Sequence, residues 1–250
     1  MPQSKDDIAW WREDRIVMTH TLGRAWDSFD AYLFDIDGTL INCTDPTHYF
    51  AFCHCLKQLS SRELNLDGVT AHGNTDIGII RDALTLAGVA DHEWRHRVPE
   101  AIEAMGDFVH ARRHELCTEV LPQVPELLAH LHAKGAKLGV ATGNLERIGR
   151  MKLERAGLWN HFDFGGWSDA YEYRCDVFRA AISQAGELCG PEAALCGLGD
   201  TPADVRAAHE NGVPVIAVAT GIYSYEQLRA EQPEMLLHSF AELLDVPREA

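Results

Sequence analysis

Two aspartates separated by one residue are the clearest chemical signal in the sequence. Asp35 and Asp37 follow the short apolar run 32–34 and precede a Gly-Thr pair. Such a run ending in a turn is typical of a buried parallel strand, in which alternate side chains point the same way. Neighbouring carboxylates repel each other, and a bound divalent cation relieves that repulsion. With the cation present, one carboxylate can attack a substrate as a nucleophile while the other transfers protons. The alternative is an Asp-x-Asp-Gly turn that only ends a strand.

A second apolar run, 137–141, is followed by Thr142, Gly143 and Asn144. Here a hydroxyl and the backbone N–H groups that follow it could hold an anion at the start of a helix. The prediction is a phosphate-binding turn at the end of a strand.

A third apolar run, 194–199, ends at Asp200, and Asp204 follows one helical turn later. The carboxyl ends of parallel strands meet at one edge of a sheet, where ligands of open α/β proteins bind. Asp200 could complete an oxygen ligand set for Mg²⁺. Polar residues at three strand ends therefore predict a single metal-dependent site.

Strands and helices alternate over most of the chain, which predicts an α/β fold with a doubly wound parallel sheet. After the first strand, however, only helical patterns occur for a long stretch. We therefore expect a Rossmann-like core formed by 1–41 and 119–250, with 1–28 as an N-terminal helical extension. Residues 42–118 are expected to form an inserted all-helical cap.

Composition narrows the function classes. The net charge of −16 over 250 residues argues against nucleic acid or an anionic membrane as partner. Seven cysteines without a regular framework favour reduced thiols, and neither a membrane span nor a signal peptide is evident. We expect a cytoplasmic protein, a monomer or a homodimer, that acts on a small molecule.

The sequence resembles the haloacid-dehalogenase-like hydrolase superfamily, in its phosphoglycolate-phosphatase-like branch. The resemblance extends over nearly all of the chain after about residue 30. It is carried by the three strand-end motifs 34–40, 141–144 and 199–205, and by the segments 73–76 and 216–221.

The resemblance implies a set of roles. Asp35 is the nucleophile that forms an aspartyl-phosphate, and Asp37 protonates the leaving oxygen and then activates water. Thr142 holds the phosphoryl group. Asp200, with Asp35 and the Asp37 carbonyl, binds Mg²⁺, and Asp204 orients water or the basic residue near the metal.

The cap loop before a predicted helix is expected to face the catalytic crevice. By the resemblance, Asn74, Thr75 and Asp76 contribute to substrate specificity. The alternative is that Thr75 or Asp76 only caps the helix.

The chain departs from the family pattern at one position. A lysine usually precedes the helix before the third acidic strand, whereas Arg174 is the only cation in that region here. Arg174 suits bidentate phosphate binding, and the alternative is a surface arginine before a helix. Lys137, Lys152 and Arg147 are expected to be less suitable than Arg174 as the cation beside the nucleophile.

These observations predict a Mg²⁺-dependent phosphatase that hydrolyses a small, phosphoglycolate-like phosphorylated metabolite. The second acid, Asp37, favours phosphoryl chemistry over dehalogenation, because a leaving oxygen needs a proton. Two alternatives remain: a phosphomutase on the same scaffold, and a phospho-accepting or binding module without turnover.

Overall fold

The computed structural model describes residues 22–244, so most of the predicted N-terminal extension lies outside the described residues. Its centre is a six-stranded parallel sheet. The strands are β1 (Ala31–Phe34), β4 (Lys137–Ala141), β5 (Phe164–Gly166), β6 (Leu195–Gly199), β7 (Val215–Val218) and β8 (Met235–Leu237). Their order across the sheet is β5-β4-β1-β6-β7-β8.

Strand β1 lies at the centre of the sheet, and its residues are buried on both faces. Tyr32 and Phe34 pack into one apolar cluster, whereas Leu33 belongs to a second cluster on the opposite face. This alternation explains why the run is uniformly apolar, since a strand covered by helices on both faces has no polar side. The predicted doubly wound α/β fold is confirmed.

Helices cover both faces of the sheet. They are α5 (Val124–Ala133), α6 (Glu146–Arg155), α7 (Arg174–Cys189), α8 (Pro202–Glu210), α9 (Tyr225–Ala230) and α10 (Ala241–Leu244), with short 3₁₀ turns at Trp159–His161 and Ser168–Ala170.

Residues 44–117, between β1 and α5, form a separate helical layer with its own apolar cluster. Its helices are α1 (Thr47–Ser60), α2 (Asp76–Leu86), α3 (Asp91–Trp94) and α4 (Val98–Ala111), with a 3₁₀ turn at Arg95–Arg97. We call the segment 44–117 the cap. Leu145 and Ile148, at the start of α6, join the cap cluster, so the cap packs on the core.

The entry to the cap and the exit from it form a two-stranded antiparallel sheet, β2 (Ile41–Cys43) and β3 (Thr118–Val120). Neither of these strands nor β8 was predicted from the sequence. Each is only three residues long, too short for a periodic pattern, and β2 pairs with a segment far along the chain. The pairing therefore exists only once the cap has folded.

The register of the sheet determines where the site forms. Phe34 of β1 lies opposite Val140 of β4 and Leu198 of β6. The residues that follow these three positions therefore lie at the same edge of the sheet.

Within residues 22–244, every helix is too short or too polar to span a lipid bilayer.

Candidate active site

The strand-end residues meet in a cavity of about 450 Å³ between the core and the cap. Asp35, Asp37, Thr142, Arg174 and Asp200 all contribute to its wall. A volume of this size suits a small molecule.

Arg174 forms an ion pair with Asp35, the first acid of the Asp-x-Asp motif. Its Nη2 lies 2.6 Å from Asp35 Oδ1 and 2.6 Å from Asp204 Oδ1, and it donates to the Ala141 carbonyl at 3.2 Å. The Arg174 side chain is only 8% exposed. Among the described residues its Nε has no hydrogen-bond partner. Arg174 is thus a buried residue beside Asp35, not a surface arginine.

Asp204 is fully buried and holds Arg174 in place. Its Oδ2 accepts hydrogen bonds from the Thr201 hydroxyl at 2.8 Å and from the Thr201 backbone N–H at 3.1 Å. The Thr201 hydroxyl caps helix α8 in return. The helix start therefore fixes the carboxylate, and the carboxylate fixes the guanidinium.

The acids at this edge are crowded. Burial raises the pKa of Asp35 to about 6, a rise that the Asp204 carboxylate reinforces and the Arg174 charge limits. Burial, together with the charges of Asp35 and Asp204, raises the pKa of Asp200 well above its ordinary value. One guanidinium does not compensate three buried carboxylates.

This donor set fits a divalent cation. Oxygens of Asp35, Asp200 and Asp204 lie within 4.8 Å of one another. Hard carboxylate oxygens are the ligands that Mg²⁺ prefers. A Cβ at Gly221 would lie 1.8 Å from Asp200 Oδ2, so only glycine leaves room for this carboxylate.

A second cation contacts the second acid. Lys152 Nζ lies 2.7 Å from Asp37 Oδ2 and donates to Asn144 Oδ1 at 2.8 Å. Asn144 Nδ2 in turn donates to Asp37 Oδ2 and to Thr142 Oγ1, each at 2.8 Å. Burial would raise the pKa of Asp37, but the Lys152 ammonium and the Asn144 amide bring it down to about 2.

The cation beside Asp35 is Arg174, and Lys152 instead contacts Asp37, a contact that was not predicted from the sequence. The lysine lies on α6 with a side chain only 4% exposed. A signal was available in the sequence, because Lys152 shares one helical face with the apolar Ile148 and with Gly149. A lysine within a buried stripe needs a charged partner. Arg147 instead pairs with Asp107, and Lys137 pairs with Asp163.

Thr142 and Gly143 form the turn after β4. The Thr142 hydroxyl oxygen accepts from the Asn144 side chain, and no described residue accepts its proton. A Cβ at Gly143 would lie 2.1 Å from the Asn74 carbonyl oxygen. Glycine is therefore required here because the cap loop rests directly on this turn.

The cap loop binds the core through its backbone and through Asp76. The Asp76 N–H donates to the Gly143 carbonyl at 2.7 Å, and Asp76 Oδ2 accepts from the Leu145 N–H at 2.8 Å. The same oxygen lies 3.1 Å from His48 Nε2. Asp76 and Asn74 contribute to the cavity wall.

Thr75 has a different environment. Its hydroxyl accepts from the Gly78 N–H as the N-cap of α2 and donates to the Glu172 carbonyl at 2.9 Å. It is fully buried and is not part of the cavity wall. The Asn74 side chain bonds within the cap, to Thr70 and Asp82. Thr75 thus has the position expected of a residue that caps a helix, which was the alternative to a role in substrate specificity.

Comparison with known proteins agrees with this architecture. Residues 32–218 match the family described as haloacid dehalogenase-like hydrolase. A probable phosphatase, IndB, from Dickeya dadantii is 27% identical over 85% of this chain and 90% of its own length. Phosphoglycolate phosphatase from Aquifex aeolicus is also 27% identical, over 85% of this chain and 93% of its own.

A solved structure of a predicted phosphatase from Clostridium acetobutylicum has the same fold. Its TM-score is 0.64 at 22% identity, over 86% of this chain and 96% of that one. Because the family match covers well over half of the sequence and includes the strand-end motifs, this chain belongs to the haloacid dehalogenase-like hydrolases, in the phosphoglycolate-phosphatase-like branch, and is an enzyme.

Proposed function

We propose that the protein is a Mg²⁺-dependent phosphatase that hydrolyses a small phosphorylated metabolite through an aspartyl-phosphate on Asp35. The observation that carries the proposal is the pairing of each motif acid with its own buried cation. Asp35 contacts Arg174, and Asp37 contacts Lys152. Such pairing suits two acids that perform different steps on one phosphate group.

In the first step an Asp35 oxygen attacks phosphorus and the bond from phosphorus to the ester oxygen breaks. With a pKa of about 6, Asp35 is mostly a carboxylate at neutral pH. Arg174 holds this carboxylate and adds a fixed positive charge beside the phosphoryl oxygens. The Thr142 hydroxyl donates to one of those oxygens.

Asp37 then gives a proton to the departing alkoxide. Before substrate binds, Lys152 keeps Asp37 ionised. A bound phosphate ester adds negative charge beside this carboxyl and raises its pKa, so that Asp37 takes up a proton from solvent before it passes that proton to the leaving oxygen. In the second step Asp37 takes a proton from water, which attacks phosphorus, releases inorganic phosphate and regenerates Asp35.

Of the carboxylate cluster, Asp35 and Asp200 are the residues that would hold Mg²⁺, and the family resemblance adds the carbonyl of Asp37; Asp204 is already bonded to Arg174 and Thr201. When bound, the ion would supply positive charge for the developing charge on the phosphoryl oxygens. Asp204 is the positioning partner of Arg174.

The decisive experiment is multiple turnover of p-nitrophenyl phosphate by the full chain with Mg²⁺. We expect product in large molar excess over enzyme, loss of activity in excess chelator and recovery on adding Mg²⁺. A single equivalent of product would indicate a phospho-accepting module. Full activity in chelator would contradict the metal requirement.

We also propose that the enzyme works in the cytoplasm. All seven cysteines are free thiols, as expected in a reducing compartment. Cell fractionation of the source organism with an antibody tests this, and recovery outside the cytoplasmic fraction would contradict it.

A further inference from the structure

The cap side of the cavity is poor in positive charge. Within the described part of the chain, its wall there contains no lysine or arginine; it consists of His48, Phe52, Ala71, His72, Gly73, Asn74, Asp76 and Ile79, of which His72 is exposed. The rings of His48 and Phe52 stack with centroids 4.8 Å apart. His48 Nε2 lies 3.1 Å from the Asp76 carboxylate, so this imidazole already has an acidic partner on the wall.

The cationic side chains of the cap point elsewhere. Residues 44–117 contain seven lysines and arginines, and none of them belongs to the cavity wall. Lys57, Arg81, Arg95 and Arg97 form ion pairs with acids outside the cavity wall. Arg62, Arg112 and Arg113 donate to backbone carbonyls.

The two cations that do line the cavity belong to its core side. Arg174 pairs with Asp35 and Asp204, and Lys152 pairs with Asp37. Four carboxylates, those of Asp35, Asp37, Asp76 and Asp200, also line it. Within residues 22–244, therefore, no lysine or arginine of the cavity wall is left without a carboxylate partner.

We propose that the organic part of the substrate carries no second negative charge: the enzyme takes phosphate esters of neutral or cationic, partly apolar alcohols. This inference rests on the proposed phosphatase function and narrows it. A second anionic group would lie beside Asp76, Phe52 and Ile79, where no lysine or arginine of residues 22–244 compensates its lost hydration. A neutral group can pack on Phe52 and Ile79, and an amine can pair with Asp76.

The substrate expected for this chain differs from the substrate in the name of one relative. The relative from Aquifex aeolicus is named a phosphoglycolate phosphatase, and phosphoglycolate carries a carboxylate on its organic part. We expect this chain to bind phosphoglycolate poorly although the phosphate end of the cavity suits it.

The test uses three probes of matched size: 2-phosphoglycolate, 2-hydroxyethyl phosphate and 2-aminoethyl phosphate. Their Kd values are measured by calorimetry with Mg²⁺ on the full chain carrying Asp35→Asn, which binds without turnover. We expect the neutral and cationic esters to bind at least about tenfold more tightly than 2-phosphoglycolate. Equal binding, tighter binding of 2-phosphoglycolate, or no binding of any ester would overturn the inference.

A matched pair of variants sharpens the result. Ile79→Arg, on the Asp35→Asn background, places a cation on the cap wall, and Ile79→Gln adds a long uncharged side chain at the same place. We expect Ile79→Arg alone to improve the affinity for 2-phosphoglycolate relative to 2-hydroxyethyl phosphate, by about tenfold. A folded arginine variant with an unchanged ratio would count against the inference.

The binding test is independent of the proposed function. If the wild-type chain turns over none of these esters, nor p-nitrophenyl phosphate, the proposed phosphatase function fails. The order of the Kd values still decides the inference about ligand charge.

Discussion

The two ends of the cavity are built differently. At the core end, acids and cations form a dense network in which Arg174 pairs with Asp35 and Lys152 pairs with Asp37. At the cap end, the His48–Asp76 pair lies beside Phe52 and Ile79, with His72 and Asn74 on the same wall and no lysine or arginine among the described residues there. Under the proposed function, the core end would provide the chemistry and the cap end would select the organic group.

The two buried cations also differ from each other. Arg174 bridges two carboxylates, and its position is set by a helix cap. Lys152 holds one carboxylate and one amide, both on turns that follow strands. We therefore expect loss of Arg174 to affect attack by the nucleophile, and loss of Lys152 to affect proton transfer.

The largest expected effect comes from the nucleophile. Asp35→Asn keeps the shape of the side chain but removes the attacking anion, so kcat should fall at least about a thousandfold. Steady-state kinetics and circular dichroism check activity and fold together. Asp67→Asn, at an exposed position of the cap, is the control. Substantial activity in folded Asp35→Asn would refute the nucleophile assignment.

Arg174→Ala should lower kcat/KM by about a hundredfold, roughly 3 kcal/mol of transition-state stabilisation. Because it leaves the buried carboxylates of Asp35 and Asp204 without their partner, it should also lower the melting temperature by several degrees. Arg174→Lys should recover part of both losses. Near-normal kinetics for the alanine variant would mean that another group supplies the charge at the nucleophile.

Lys152→Met should lower kcat by about tenfold. Removing the ammonium raises the pKa of Asp37 from about 2, so the acidic limb of the kcat–pH profile should move to higher pH. Arg150→Met, which removes an exposed cation from the same helix, is the control and should leave the profile in place. A profile that does not move would show that Lys152 has only a structural role.

Asp200→Asn separates metal binding from folding. The raised pKa of Asp200 means that ionisation of this acid costs folding free energy at neutral pH, a cost that disappears as the pH falls through the raised pKa. Removing the charge should therefore stabilise the metal-free protein by about 1 kcal/mol, or about 2–4 °C in melting temperature.

The same variant should lose the melting-temperature gain that Mg²⁺ gives the wild type. Differential scanning calorimetry with and without Mg²⁺ measures both effects. A metal-free variant less stable than the wild type would contradict the repulsion inferred among Asp35, Asp200 and Asp204.

The smallest expected effect lies in the cap loop. Thr75→Ala removes the N-cap of α2 and should cost about 1 kcal/mol of stability, measured by chemical denaturation. The ranking of substrates should stay the same, because Thr75 does not line the cavity. Thr85→Ala, at an exposed position in the last turn of α2, should change neither property. A changed ranking for Thr75→Ala would restore its predicted role in specificity.

Much of the molecule was predictable from local pattern. Apolar runs of three to six residues, each followed by a polar residue, predicted β1, β4 and β6 and the meeting of Asp35, Thr142 and Asp200. The reason is physical: a strand buried on both faces must be apolar throughout, and parallel strands bring their carboxyl ends to one edge.

What only the tertiary structure decided depends on contacts between distant segments. The local sequence does not show which distant residues will be partners. This applies to the pairing of β2 with β3, to the edge strand β8 and to the contact of Lys152 with Asp37. The charge of the cap wall is of the same kind, because a sequence shows how many cations the cap has but not which way they point. Burial and ion pairing arise only when the chain has folded, and in this enzyme they determine which cation pairs with which carboxylate.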